Sequence, residues 1–172
     1  MNVDSEQITL DKNLVIAQDQ PLSDKQLKEC LINVLGKDKC RIITVPQRKW
    51  VLEFTNGEKV YHLLVRACTY LGNPHPLFKK RVQLPLWFND YTHAVREQNP
   101  MIDIRYIGVY HYGNPHYGEN VVFVDFNKDT YLAKKGHNSS AHVYTNDLFQ
   151  AMTYGVFTKE DHFGNSISTI RR

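Results

Sequence analysis

Apolar residues recur at helical spacing at Leu27, Cys30, Leu31, Val34 and Leu35, and Ser23 followed by Gln26 makes a capping-box pattern just ahead of them. Gly36 closes this run, so the pattern predicts a helix over Leu22–Leu35. From Arg41 the period shortens to two. Arg41–Val45, Lys49–Thr55 and Glu58–Tyr70 read as strands. Asn56-Gly57 between the last two is a hairpin signal, because both central positions of a type I′ turn need positive φ. Arg81–Pro85 is a short alternating strand closed by proline, and Trp87–Glu97 reads as a second helix with Asn89 or Asp90 near its start. Met101–Tyr112 and Asn120–Phe126 are further predicted strands, joined by a Gly- and Asn-Pro-rich turn over Gly113–Gly118. Asn146–Tyr154, with Gly155 after it, predicts a third short helix, and Ser166–Ile170 a last strand.

These elements amount to a mainly β fold with short helices, of the α+β class: seven strands in an open, barrel-like arrangement with two or three helices. At 172 residues the chain has the size of one domain with a real core, since about 150 residues bury roughly 68–70% of the unfolded surface. Residues 1–20 are polar and weakly patterned, which predicts a flexible lead-in with a short extended piece at Asn13–Ala17, and residues 21–172 are expected to form the single domain. The chain stops at Arg171-Arg172 without a capping pattern, so the expectation is a domain excised from a longer protein. Gly-Asn-Pro-His occurs at Gly72 and again at Gly113, but the flanks do not match, which reads as repeated turn chemistry and not as a duplicated module.

The formal charge is only +3, so any polyanion partner must be argued from where the basic residues fall. The thirty residues Lys59–Phe88 contain no Asp or Glu, yet carry Lys59, Arg66, Lys79, Lys80 and Arg81 around the loop Tyr70–Phe78. One-signed charge among amides and aromatics suits nucleic acid better than a small metabolite. In this arm, Arg66–Gln83, Lys79, Lys80 and Arg81 are placed to neutralise phosphates, while Arg66, Asn73, His75, Arg81 and Gln83 can donate to base edges. A second polar stretch, Asn127–Tyr144, supplies Lys128, Lys134, Lys135, His137, Asn138 and Ser139, with the lysines again suited to phosphate and His137 and Asn138 to bases.

Other chemistries find weaker footing. Cys30, Cys40 and Cys68 are odd in number and widely spaced, and there is no leader pattern or long apolar span, so the expectation is a soluble, reduced, cytoplasmic protein in which Cys30 and Cys68 are buried. Eight histidines make no zinc pattern with cysteine, no phosphate-binding Gly-x-x-x-x-Gly-Lys loop is present, and no cofactor is expected. Trp50, Phe54, Trp87, Phe88, Phe123, Phe126, Phe149 and Phe157 read as core, whereas a ring from the Tyr106, Tyr110, Tyr112 and Tyr117 cluster could cradle a flipped base. The competing class is a small metal-dependent endonuclease using Asp103 and Asp125. Such a core needs an acid on one strand and Asp/Glu-x-Lys on the next, and Leu64-Val65-Arg66-Ala67-Cys68 offers none.

The order of strand, polar arm, Arg81-Val82-Gln83-Leu84-Pro85 leading into Trp87-Phe88-Asn89-Asp90, strand Val121–Phe126, second polar arm and Ala141–Thr145 resembles the DNA-binding pseudobarrel of plant auxin-response factors. Its bacterial relatives are recognition domains of restriction enzymes such as EcoRII and BfiI, and of the McrB-like subunit of LlaJI-type systems. The resemblance covers about Lys49–Thr145 and implies a seven-stranded open pseudobarrel whose two arms grip the major groove of double-stranded DNA. It implies no catalytic residue or metal in this chain, and a parent restriction protein whose partners are a GTPase motor and a nuclease subunit.

Overall fold

A computed structural model of the chain describes residues 22–70, 79–111, 121–132, 138–160 and 166–171. The expected lead-in with its piece Asn13–Ala17, the turn Gly113–Gly118 and the tips of both arms lie outside the described residues. Helix α1 spans Asp24–Leu35, and Ser23 caps it as the sequence requires: its Oγ accepts from the Gln26 N–H at 3.3 Å, and Gln26 Oε1 accepts from the Ser23 N–H at 2.9 Å. Gly36 ends the helix at φ 101°, a conformation that L side chains rarely adopt.

A short 3₁₀ turn leads into β1 (Cys40–Val45), β2 (Lys49–Asn56) and β3 (Lys59–Ala67), an antiparallel meander. Positive φ in the β2–β3 turn falls on Gly57 alone, at 64°, and Asn56 pairs with Lys59 as the last strand residue. The type I′ expectation, with both Asn56 and Gly57 at the turn centre, is corrected accordingly. Next come β4 (Thr69–Tyr70), β5 (Lys79–Leu84), α2 (Leu86–Gln98), β6 (Asp103–His111), β7 (Val121–Phe126), α3 (Lys128–Leu132), β8 (Ser139–Tyr144), α4 (Thr145–Tyr154), β9 (Val156–Glu160) and β10 (Ser166–Arg171).

The architecture is α+β, but its ten strands form two open sheets and close no barrel. The large sheet runs β1-β2-β3-β6-β7-β10-β9, with β3 and β6 parallel and the other pairs antiparallel; the small one runs β4-β5-β8. A parallel neighbour requires a crossover, and β4, β5 and α2 supply it between β3 and β6.

Both faces of the large sheet are covered, which explains the nearly continuous burial along β6. Leu27, Cys30 and Leu31 of α1 pack on Trp50, Leu52, Leu63, Val65, Ile107 and Val109 on one face. On the other, Val51, Leu64, Ile104, Tyr106, Val122, Val124 and Phe126 meet Val82 and Leu84 of β5, Ala141 and Val143 of β8, Phe88 of α2, and Leu148 of α4. The Tyr106 hydroxyl, wholly buried, donates to Asn89 Oδ1 at 2.8 Å and sits 2.9 Å from Thr92 Oγ1, while Asn89 Nδ2 donates to the Tyr131 carbonyl at 3.1 Å. One satisfied polar chain thus ties α2 to β6 and α3.

The small sheet approaches the large one at Gly108. A Cβ there would lie 2.8 Å from Val82 Cγ2 and 2.9 Å from the Phe126 ring, so only hydrogen fits beneath β5. Gly108→Ala is expected to destabilise the domain by about 1–3 kcal/mol through overpacking. A lower urea midpoint at unchanged m-value would show it; an unchanged midpoint would mean the two sheets are not held this closely.

Candidate nucleic-acid interface

The small sheet carries the features expected of a polyanion-binding surface. In β5 the alternation is sharp: Lys80, Val82 and Leu84 point inward, and Lys79, Arg81 and Gln83 outward. β8 repeats it, with Ser139, Ala141 and Val143 inside and Ser140, His142 and Tyr144 outside. Register sets Lys79 opposite Tyr144, Arg81 opposite His142 and Thr69, and Gln83 opposite Ser140. No Asp or Glu occurs in β4, β5 or β8.

Arg66, Arg81 and Gln83 also meet in a cleft of about 240 Å³, walled by Ala67 and Thr69 on one side and by Leu22, Asp24 and Leu27 at the start of α1 on the other. Among the described residues, Lys79, Arg66 and Arg81 have no ion-pair or hydrogen-bonding partner. Many cations elsewhere are paired, although Lys37, Lys39 and Arg48 also lack an ion pair among the described residues. Arg41 bonds Glu53, Lys59 and Arg105 bond Asp103, Arg96 bonds Asp129, and Lys159 bonds Asp147.

Several expected site residues fall elsewhere. Lys80 is fully buried, its Nζ 5.6 Å from the centroid of the Tyr70 ring and 5.8 Å from that of Tyr110. Its expected phosphate contact is corrected, because strand alternation turns it away from its two basic neighbours. Ser139 is buried by the same alternation. Asn138 is exposed, but its Oδ1 accepts the Leu86 N–H at 2.9 Å and so caps α2, which Pro85 enters without a side-chain cap of its own. Lys128 is half-buried at the start of α3, a helical turn anchored by buried Tyr131 where the sequence suggested open arm. Asn73, His75, Lys134, Lys135 and His137 lie outside the described residues. Thr69, Ser140, His142 and Tyr144 join the surface without having been singled out. The signal for the last three was present in the alternation Ser-Ser-Ala-His-Val-Tyr, once β8 is recognised as a strand.

The carboxylates form pairs and not a metal centre. Arg105 Nε and Nη2 donate to the two Asp103 oxygens at 2.8 and 3.0 Å, and Nη1 donates to Asp125 at 2.8 Å. Burial pushes the Asp125 carboxyl up despite Arg105; burial also acts upward on Asp103, but bonds from Arg105 and Lys59 outweigh it and hold that carboxyl low. Among the described residues, no three His, Cys, Asp or Glu side chains converge as metal ligands. Tyr106 is enclosed, with burial raising its hydroxyl to about 12, so it is not placed to cradle a base. A polar relay that the sequence gave no cue for runs from Tyr91 Oη to His62 Nδ1 at 2.8 Å, from His62 Nε2 to Glu53 Oε2 at 2.9 Å, and on to Arg41.

The site is therefore a basic, acid-free β face on an α+β domain. Residues 59–172 match the model of the methylase-associated X1 family, MTaX1, and the chain belongs to that family. No curated protein and no solved structure matches it. The matched region begins at β3, so α1, β1 and β2 precede it. Among the described residues no helix is long and apolar enough to cross a membrane.

The relay predicts an acid-sensitive contribution to stability. Burial alone would raise the Glu53 carboxyl, but hydrogen bonds from His62 and Arg41 outweigh it and hold it below the ordinary glutamate value. Its contribution is then present above the unfolded-state value and lost as pH falls through the lowered folded-state one. Glu53→Ala, which strips buried His62 of its carboxylate, is expected to cost about 1–3 kcal/mol near neutrality and to flatten the acid limb of stability against pH in urea titrations. An acid limb identical to the parent's would rule the relay out as its source.

Proposed function

We propose that this chain is the target-recognition domain of a restriction system working beside a DNA methylase, and that it binds double-stranded DNA site-specifically through two arms in the major groove. The observation that carries this reading is the outer face of β4, β5 and β8, where Lys79 and Arg81 stand without carboxylate partners on a surface free of acids. A cation left unpaired on a rigid sheet is available to exchange its counterions for phosphate. Family membership and the resemblance to the pseudobarrel recognition domains of restriction enzymes support the same setting by separate routes.

The positions from which the arms spring favour a grip. β5 follows residues 71–78 of the first arm and β8 follows residues 133–137 of the second, and the two strands run antiparallel. The two arms therefore join the sheet at opposite ends, separated by five strand steps of about 3.4 Å, or roughly 17 Å. That separation exceeds the roughly 12 Å width of the major groove by enough to straddle it. In this reading Lys79, Lys128, Lys134 and Lys135 meet phosphate. Ser140 and His142 face base edges between the arms, together with Asn73, His75 and His137 of the arms themselves. The parent protein works in the cytoplasm, with a GTPase motor and a nuclease subunit as partners, and this chain binds without cutting.

Selection of bound duplexes from a random pool, followed by affinity measurements across a salt series, tests the reading. A defined site should emerge, with affinity falling steeply as salt rises. Lys79→Gln should weaken all sequences alike and reduce the salt slope by about 1, whereas Ser140→Ala should relax preference at one position. Lys80→Met should leave the slope unchanged, because its ammonium lies inside. Failure to bind any duplex at low salt, or binding without a preferred site, would overturn the proposal.

A further inference from the structure

We infer that the cleft between the start of α1 and strands β3, β4 and β5 is a socket for a single backbone phosphate of the bound nucleic acid, held by Arg66 and Arg81. The inference rests on the DNA-binding reading of the adjoining sheet face and assigns to these two arginines a role other than reading bases.

Shape supplies the first argument. Base edges lie at the floor of a major groove about 8.5 Å deep, so a side chain that reads them must project from a convex surface. Arg66 and Arg81 instead line a recess whose opposite wall is α1. A phosphate stands out from the duplex and can enter such a recess. The volume is about 240 Å³; a water takes about 30 Å³ of liquid, so a tetrahedral oxyanion fits with room for bridging waters.

Charge supplies the second. The ionic groups on the lining are Arg66, Arg81 and Asp24, which leave one net positive charge. A phosphodiester carries one negative charge and balances them. Two guanidinium forks suit the oxygens of one phosphate, and the Thr69 hydroxyl and Gln83 amide line the same recess as further donors. The apolar walls at Leu22, Leu27 and Ala67 exclude part of the competing water and strengthen the attraction. Asp24 opposes a second negative group, which favours a diester over a phosphate monoester dianion.

The socket also gives α1 a purpose. This helix lies ahead of the family-matched region, yet Leu22 and Leu27 anchor it in the core while its capping box stiffens the turn that walls the cleft. Three of the eight residues lining the socket therefore come from the segment before residue 59.

The test uses the full chain and two probes. In the first, inorganic phosphate is titrated while the Nε–H signals of Arg66 and Arg81 are followed by NMR; both should move with one affinity, and neither arginine's signal should move when the other is replaced by Gln. In the second, a selected duplex is scanned with neutral methylphosphonate linkages. One linkage should weaken binding by about tenfold or more, as expected for a lost charged hydrogen bond, and the same linkage should be silent in the R66Q/R81Q variant. Arg66→Gln and Arg81→Gln should each weaken all sequences alike, with a combined loss smaller than the product of the two. Asp24→Asn should tighten binding. Circular dichroism and urea midpoints of the variants confirm that they fold. If R66Q or R81Q instead changes the preferred base at one position, or if no linkage is silenced by the double variant, the socket is overturned while DNA recognition stands. If phosphate moves both arginine signals together but no duplex binds, the socket stands and the DNA reading falls.

Discussion

The close approach of β5 to β6 over Gly108 is the constraint on which the rest of the molecule depends. Val82 and the Phe126 ring fill the space where a side chain on residue 108 would sit, so the small sheet lies directly against the large one. Strand geometry then gives no choice about the other face. With Val82, Leu84, Ala141 and Val143 committed to the core, their neighbours Arg81, Gln83, Ser140 and His142 must point outward. Packing on the inside thus defines the chemistry on the outside. A slip of one residue in β5 would bury Arg81 and expose Val82.

Charge is distributed unevenly between the small sheet, which carries no acids, and the large one. Most arginines and several lysines elsewhere are matched to carboxylates, and the largest such cluster, Arg105 between Asp103 and Asp125, neutralises the acids that a metal-dependent nuclease would have needed. Surface pairs of this kind add little stability, but they remove charge from the field around the protein. Arg66, Lys79 and Arg81 keep no carboxylate partner, as Lys37, Lys39 and Arg48 keep none elsewhere among the described residues. A net charge of +3 is consequently a poor guide to the local potential. Lys80 is the instructive exception: it lies between the two basic residues that face outward, yet its ammonium sits among aromatic rings.

The region shared with the methylase-associated X1 family holds β3 through β10, including the entire small sheet. The segment before it contributes α1, β1 and β2, which complete the large sheet, cover one of its faces and provide the far wall of the arginine cleft. The matched region thus holds the small sheet and most of the large one, and the preceding segment joins it through the β2–β3 pairing and the packing of α1 on Leu63 and Val65.

Local signals determined much of this by themselves. Ser23, Gln26 and Gly36 define α1 because capping is a matter of a few adjacent backbone groups. Gly57 and Gly155 mark turns because positive φ is a property of single residues. The acid-free basic run was likewise legible, since charge needs no partner to be counted. Long-range register was not. That β5 pairs with β8, that Asn138 caps a helix 52 residues away, and that Glu53 meets His62 and Arg41 all depend on contacts between distant segments, which no local period encodes. The arrangement of ten strands as two open sheets was decided the same way. Alternation tells a strand which of its residues share a face, but only the opposing layer decides which face is buried. For Lys80 that decision turned a phosphate candidate into a core residue, and for Arg66 and Arg81 it made one cleft out of two separate strands.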